Sequence, residues 1–504
     1  MSVLNGLVAV LIILVSVIYW YLKKSFSYWQ SRNIPCNEPL IPYGNIKGLG
    51  KIISFVHFTQ TYYTQFKGTS KFCGIYFFTR PIALLLDLDL IKHILVKDFA
   101  IFNDRSFYYN EKDDPLSAHL VALDGKKWKE VRSKLTPTFS SGKMKYMFPT
   151  ITAIGDRLID YLNDANKLND VLEMKNILAR FTMDVIGNCA FGIECNTLKD
   201  IDNDFYRMGR MAIQKPRHNP RISFLLNDYK RLARFLGIKT IRDEVSTFFI
   251  DVVRNTIGYR EKNNIQRNDF MDLLIKLKNE NNDGDVSKGL TVNQIAAQSF
   301  LFFVAGYETS STTMLFTLYE LALNQDVQKK VRHEIQNAMR KHGEFTYEMM
   351  MDIPYLEQTI KETLRKYPPF TTLRRTAQRD YKVADSDIVI EKGMSVVVPV
   401  FAIHNDPDYY ENPEIYNPDR FSDEEMKKRH PMTWLAFGEG PRNCIALRFG
   451  MMQTRIGLIT LLSNFEFSTC SQTPIPMIFS SSPIVLSPKD GVYFNVKPIK
   501  TEEI

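Results

Sequence analysis

Cysteine is scarce, with six in 504 residues, too few and too scattered for a disulfide framework, which points to a reducing compartment. Around Cys444 no second cysteine or histidine stands at chelating spacing, so a tetrahedral zinc site has no support. Internal repeats and long Pro/Gly/Ser linkers are also missing, which argues against a repeat array or a string of domains. Charge of one sign barely prevails: 64 Lys and Arg against 56 Asp and Glu leave a net +8, spread along the chain. With no recognisable nucleic-acid module, this excludes nucleic acid as the expected partner. From Val3 to Leu22 charge is absent altogether.

What the chain does contain is apolar material for one large core, at 45% hydrophobic against 24% charged residues. Its most constrained stretch is Phe437-Gly438-Glu439-Gly440-Pro441-Arg442-Asn443-Cys444-Ile445-Ala446, followed by a helical run from Leu447 to Phe465. Gly438 and Gly440 admit backbone angles and close approaches that a Cβ forbids, and Pro441 stiffens the turn. Such a loop turns amide N–H groups inward, where they stabilise a thiolate. One anionic sulfur with no partner ligand suits a flat cofactor that brings four ligands of its own, which is haem. A buried cysteine behind a Gly-Pro turn is the plainer alternative.

The pattern Phe-x-x-Gly-x-Arg-x-Cys, carried by Phe437, Gly440, Arg442 and Cys444, resembles the haem-binding loop of the cytochromes P-450. The resemblance implies heme b with Cys444 as the axial thiolate on iron, and cofactor contacts from Phe437, Gly438 and Arg442. It implies a mainly α fold with a smaller β portion (α+β), one large catalytic domain following an N-terminal transmembrane helix. Ala446 departs from the glycine that many members carry at that place, a small change expected to be tolerated.

Other segments extend the likeness. Val3–Leu22, closing on Tyr19, Trp20 and Tyr21, is long enough to span a bilayer, and Lys23 and Lys24 place the remainder on the cytoplasmic side. A cleaved signal peptide is the rival, though the basic start and small-residue cleavage site are not clear here. Residues 1–24 are thus assigned as anchor, 25–50 as a hinge containing Pro35, Pro39 and Pro42, and 51–504 as the haem-binding domain. Phe72 to Leu90 reads as two strands about a Thr79-Arg80-Pro81 turn. Residues 145–195 read as helical, Lys215–Arg221 as a basic loop leading to apolar Ile222–Leu226, and 279–288 as a polar loop. The basic-apolar segment suits either a membrane-dipping lid or a surface loop over core.

Trp128 and Arg132 share one face of a helix ending near Pro137, a spacing that lets indole N–H and guanidinium converge on one anion or simply marks an amphipathic helix. In the family this pair binds a haem propionate. Lys126, Lys127, Lys129 and Lys134 surround it, and the resemblance implies docking of an acidic flavoprotein there.

Thr291 with Gln294 opens a long helix by a capping box, its apolar pattern running to Leu323. Ala305-Gly306-Tyr307-Glu308-Thr309-Ser310 sits in its middle. Ala305 and Thr309 are i, i+4 neighbours, and Gly306 beside them reads as a hollow or as a helix-packing notch. The segment resembles the family's oxygen-activating sequence. That implies Ala305 at the cofactor, Thr309 at the oxygen pocket and Glu308 as proton source.

Glu362 and Arg365 are one helical turn apart; with Arg420 the resemblance makes them a structural triad behind the cysteine loop. Phe370–Ala377 is expected to be extended, with Arg375 the propionate ligand and adjacent Arg374 the alternative. Substrate contacts by family position fall in Phe107–Ala122, at Phe302, Phe303 and Ala305, in Thr371–Leu373 and in Ile478–Ser480; each apolar residue has core as its other reading.

Taken together, the resemblance implies a monooxygenase of the endoplasmic reticulum membrane, similar to microsomal and insect detoxification members. It would insert one oxygen atom from O2 into apolar small molecules. The implied partners are NADPH-cytochrome P-450 reductase, with cytochrome b5 as a second donor, and the lipid bilayer. A reductase-independent isomerase or dehydratase and a non-catalytic haem carrier are the alternatives. Glu308-Thr309 argues against the former.

Overall fold

The computed structural model describes residues 2–499, apart from 51–52, 201, 268, 280–288, 385 and 482–484. The polar stretch expected as a loop at 279–288 therefore lies almost wholly outside the described residues. The fold is organised on the helix Val292–Leu323, which Thr291 and Gln294 cap reciprocally and whose side chains are buried along most of its length. At ~1.5 Å per residue its 32 residues extend about 48 Å, enough to cross the domain. Helices Met174–Ile186, Asp243–Asn263, Pro354–Lys366 and Leu447–Asn464 pack against it.

Gly306 serves this packing. A Cβ there would stand 2.4 Å from Ile186 Cδ1 on the neighbouring helix, so the glycine is a helix-packing notch, not the source of a hollow beside Thr309. Phe302 and Phe303 also belong to the core. Phe302 meets Phe139 and Phe270, and Phe303 meets Phe205 and Phe249, at ring separations of 4.9–5.7 Å. Both are buried among aromatic rings, in keeping with the core alternative for these two residues.

The β portion is small. Phe72–Phe77 pairs antiparallel with Arg80–Leu85, which runs parallel to Ser395–Val398, and Leu373–Thr376 closes the sheet on the far side. The hairpin turn is Phe78-Thr79, with Arg80 and Pro81 already in strand. The second strand stops at Leu85, short of Leu90, because Asp87 caps the next helix by accepting from Leu90 N at 2.7 Å. A second sheet interrupts the helical expectation for 145–195: Val171–Glu173 pairs with Tyr493–Asn495 from the far end of the chain. Ile222–Leu226 lies in a short helix, Pro220–Asp228.

At the N-terminus the apolar helix runs Ser2–Phe26 and is, among the described residues, the one helix long and apolar enough to cross a membrane. The proline-containing segment that follows packs on the sheet. Trp29, Ile34, Ile46 and Leu49 are buried. Trp29 donates its indole N–H to Ile75 O at 3.2 Å, and its ring fills the place a Cβ on Gly74 would need.

Candidate active site

The loop ahead of Leu447–Asn464 is closed by its own backbone: Gly438 N donates to Leu435 O, Asn443 N to Gly440 O, and Cys444 N to Phe437 O at 2.8–3.0 Å. Gly438 and Gly440 both sit at positive φ, 69° and 74°. Gly440 is further constrained from below, since a Cβ would lie 2.0 Å from Leu95 O. Phe437 packs its ring on Trp434. Ala446 has φ −98° and ψ 22°, a conformation open to any residue, so alanine fits where many family members have glycine.

Cys444 keeps accessible surface and is not sealed within the loop. Burial pushes the thiol up. The Ala446 backbone N–H, then Arg132 and Arg105, pull the other way. Arg132 donates to Asn443 O and Oδ1, both at 2.9 Å, bracing the residue beside the cysteine. Trp128 lies under Arg442, whose Cζ is 4.2 Å from the ring centroid. The two i, i+4 residues thus both stand against the cysteine loop.

Four guanidinium groups gather here: Arg105, Arg132, Arg375 and Arg442. Arg105 Nη2 donates to Arg442 O at 2.9 Å. Arg442 donates to Asn103 O and Leu123 O at 2.7 and 2.9 Å, yet its buried Nη1 has no partner. Its other terminal nitrogen, Nη2, stands 3.5 and 3.9 Å from the carboxylates of Asp104 and Asp124. Burial and then the repulsion of Arg105 push Arg442 down to about 9. Arg375 is 1% exposed, and its Nε is without a partner. Burial, then Arg105 and Arg442, hold it well below the usual arginine range. Arg374, next along the strand, turns the other way and donates to Ser395 Oγ at 2.9 and 3.2 Å. Strand alternation thus separates the two arginines.

On the central helix, Thr309 Oγ1 donates to Ala305 O at 2.7 Å, leaving the hydroxyl oxygen to accept. Glu308 is pushed up by burial, against the opposing pull of Lys175, a Tyr307 hydrogen bond and Arg210. Behind the loop, Glu362 and Arg365 are wholly buried, with two charge-assisted bonds at 2.7 and 2.9 Å. Arg420 approaches Glu362 at 3.5 Å and spends Nη2 on the carbonyls of Glu411 and Asn412. Of the other expected substrate contacts, Phe479 packs against Phe316, Tyr367 and Phe401, away from the cluster around Phe302.

A family model described as Cytochrome P450 matches residues 34–496. The chain belongs to the cytochrome P450 family. It is 48% identical over 504 residues to Cytochrome P450 6a9 of Drosophila melanogaster, covering 99% of this chain and 100% of the relative. It is 45% identical over 495 residues to Cytochrome P450 6A1 of Musca domestica, covering 97% of each. This cytochrome P450 is therefore a haem-thiolate monooxygenase, an oxidoreductase whose cofactor iron takes a cysteine thiolate, and the mainly helical fold with small sheets is that of its family.

The residues of this cytochrome P450 fit such a cofactor. One soft anionic ligand stands alone, since no cluster of three metal-binding side chains occurs among the described residues. The surplus of buried cations, with unpartnered N–H groups on Arg375 and Arg442, calls for the carboxylates that haem carries as propionates. One residue at the site carried no signal in the sequence: Arg105 stands alone in a loop with no motif around it. His119, within the expected Phe107–Ala122 segment, has an unpartnered Nδ1 and is pushed down to about 4, mainly by burial.

Proposed function

We propose that the chain is a membrane-anchored monooxygenase of the endoplasmic reticulum, inserting one oxygen atom from O2 into apolar small molecules, foreign or endogenous. In this reading residues 1–24 anchor it, 25–50 connect, and 51–504 form a catalytic domain on the cytoplasmic face. Bound haem supplies the activation of dioxygen.

The observation that carries the reading is an accessible cysteine, Cys444, among buried guanidinium groups, two of which keep an N–H without a partner. In that reading Cys444 ligates the iron, Arg105, Arg375 and Arg442 hold the propionates, and Phe437, Gly438 and Ala305 line the cofactor. Trp128 and Arg132 hold a propionate from the helix that stands against the cysteine loop. Glu362, Arg365 and Arg420 brace the loop from behind. Glu308, pushed up by burial from the ordinary carboxylate value, serves as the proton source, with Thr309 as the accepting hydroxyl. NADPH electrons would arrive through a separate reductase, with cytochrome b5 as a second donor. Lys126, Lys127 and Lys129 are exposed on the helix whose Arg132 touches the cysteine loop, a short route for an acidic partner.

Reconstitution with purified NADPH-cytochrome P-450 reductase and a panel of apolar compounds tests this. Substrate-dependent NADPH consumption with oxygenated product is expected. Turnover with organic peroxides alone, or intact haem with no turnover on any compound, would count against it.

A further inference from the structure

His404 is wholly buried at the end of the short helix Val400–His404 and has no part in the chemistry above. Both faces of its imidazole are engaged. Leu435 N donates to Nε2 at 2.7 Å, and Nδ1 lies 3.2 Å from Arg365 O. A backbone amide can only donate, so Nε2 is the bare nitrogen and Nδ1 carries the proton toward the Arg365 carbonyl. In return, Arg365 Nη1 donates to His404 O at 2.9 Å. Burial, with the Arg365 charge, holds the ring neutral and pushes it down to about 3, so the acceptor is permanent under ordinary conditions.

These contacts join the buried ion pair to the segment that leads into the cysteine loop, beside a second link in which Trp434 Nε1 donates to Lys361 O at 3.3 Å. Glu362 grips Arg365; Arg365 and His404 exchange two hydrogen bonds; His404 takes the amide of Leu435. Leu435 O then accepts from Gly438 N, the first closure of the cysteine loop, and Phe437 O accepts from Cys444 N. The path runs bond by bond from the buried ion pair to the sulfur. Arg420, by contrast, spends its bonds on Glu411 and Asn412, outside the loop.

We propose that His404 is a positioning residue for the cysteine ligand, carrying the rigidity of the buried Glu362–Arg365 pair into the loop through Leu435 N–H. The inference rests on the reading of Cys444 as the haem ligand. It follows the general rule that groups behind a metal ligand fix its orientation.

Two polar replacements separate this from a simple packing role. In His404→Gln the longer amide reaches the place of Nε2 and can still accept from Leu435. In His404→Asn the shorter amide reaches only the Arg365 side. The full-length, haem-loaded protein is reduced under carbon monoxide, and the rate at which its thiolate-type band converts to the thiol-type band is followed in mild denaturant. His404→Asn is expected to convert at least about tenfold faster than the parent, the effect of one lost buried hydrogen bond, while His404→Gln stays within about threefold. Equal rates in the two variants, or a faster His404→Gln, overturn the role. A parent with no thiolate band would instead overturn the ligand assignment of Cys444.

Discussion

The amide of Cys444 donates to the carbonyl of Phe437 at 2.8 Å, so the sulfur's position is set by backbone closure before any cofactor contact is made. Loop geometry, more than side-chain identity, is then the sensitive variable. Gly440→Ala would place a Cβ 2.0 Å from Leu95 O in a backbone at positive φ, whereas Gly438→Ala meets nothing closer than 3.8 Å. The left-handed conformation alone costs roughly 1–2 kcal/mol. Gly438→Ala should lose about that much stability and keep haem; Gly440→Ala should lose more and bind little. Thermal unfolding and haem per protein check both.

Arg375 is buried with an unpartnered Nε among like charges. Arg375→Met therefore removes a repulsion in the haem-free protein and a propionate contact in the loaded one. Haem-free Arg375→Met should unfold at the same or a higher denaturant concentration than the parent, while haem transfer to a scavenging apoprotein is several-fold faster. A destabilised haem-free variant would show that the guanidinium is already compensated.

Glu308 is a carboxyl group whose burial works against stability. Its folded pKa is raised, mainly by burial, so between the unfolded value and the raised one the native state binds more protons than the unfolded chain. Stability contributed by this group falls as pH rises through that window and is regained toward acid. Glu308→Gln should hold or increase stability at neutral pH and flatten this dependence, yet lower coupled turnover. Thr309→Ala should keep haem and divert electrons to peroxide. Equal coupling in Thr309→Ala and parent would remove Thr309 from the proton path.

Glu362 and Arg365 have no solvent exposure, so deleting one leaves the other charged and dry. Glu362→Ala is expected to cost roughly 3–5 kcal/mol and to yield protein without haem. Lys330→Ala, whose ion pair with Asp419 is exposed, should change stability by less than about 1 kcal/mol in the same unfolding assay.

Where local chemistry decides structure, the residues spoke plainly. Thr291 and Gln294 cap the central helix as their spacing requires, and the Gly-Pro-Arg loop leads into its helix at Leu447. Long-range partners decided the rest. Val171–Glu173 is strand because Tyr493–Asn495 comes back to pair with it, which no local window contains. Gly306 invited a reason, but the reason was Ile186 on another helix. Arg374 and Arg375 differ only in which face of a strand each occupies, and only the pairing with Ser395–Val398 reveals it. Arg105 matters through its neighbours in space and carries no local mark.

Trp29 occupies the room left by the missing side chain of Gly74, and Tyr76 Oη ties it to Phe26 by donating to Phe26 O at 2.9 Å while accepting from Trp29 N at 3.0 Å. The apolar helix thus ends in a wedge and not in a tether. The angle at which it leaves the body is therefore set by packing on the sheet. A side chain at residue 74 would displace the Trp29 ring and free that angle while leaving the distant cysteine loop untouched.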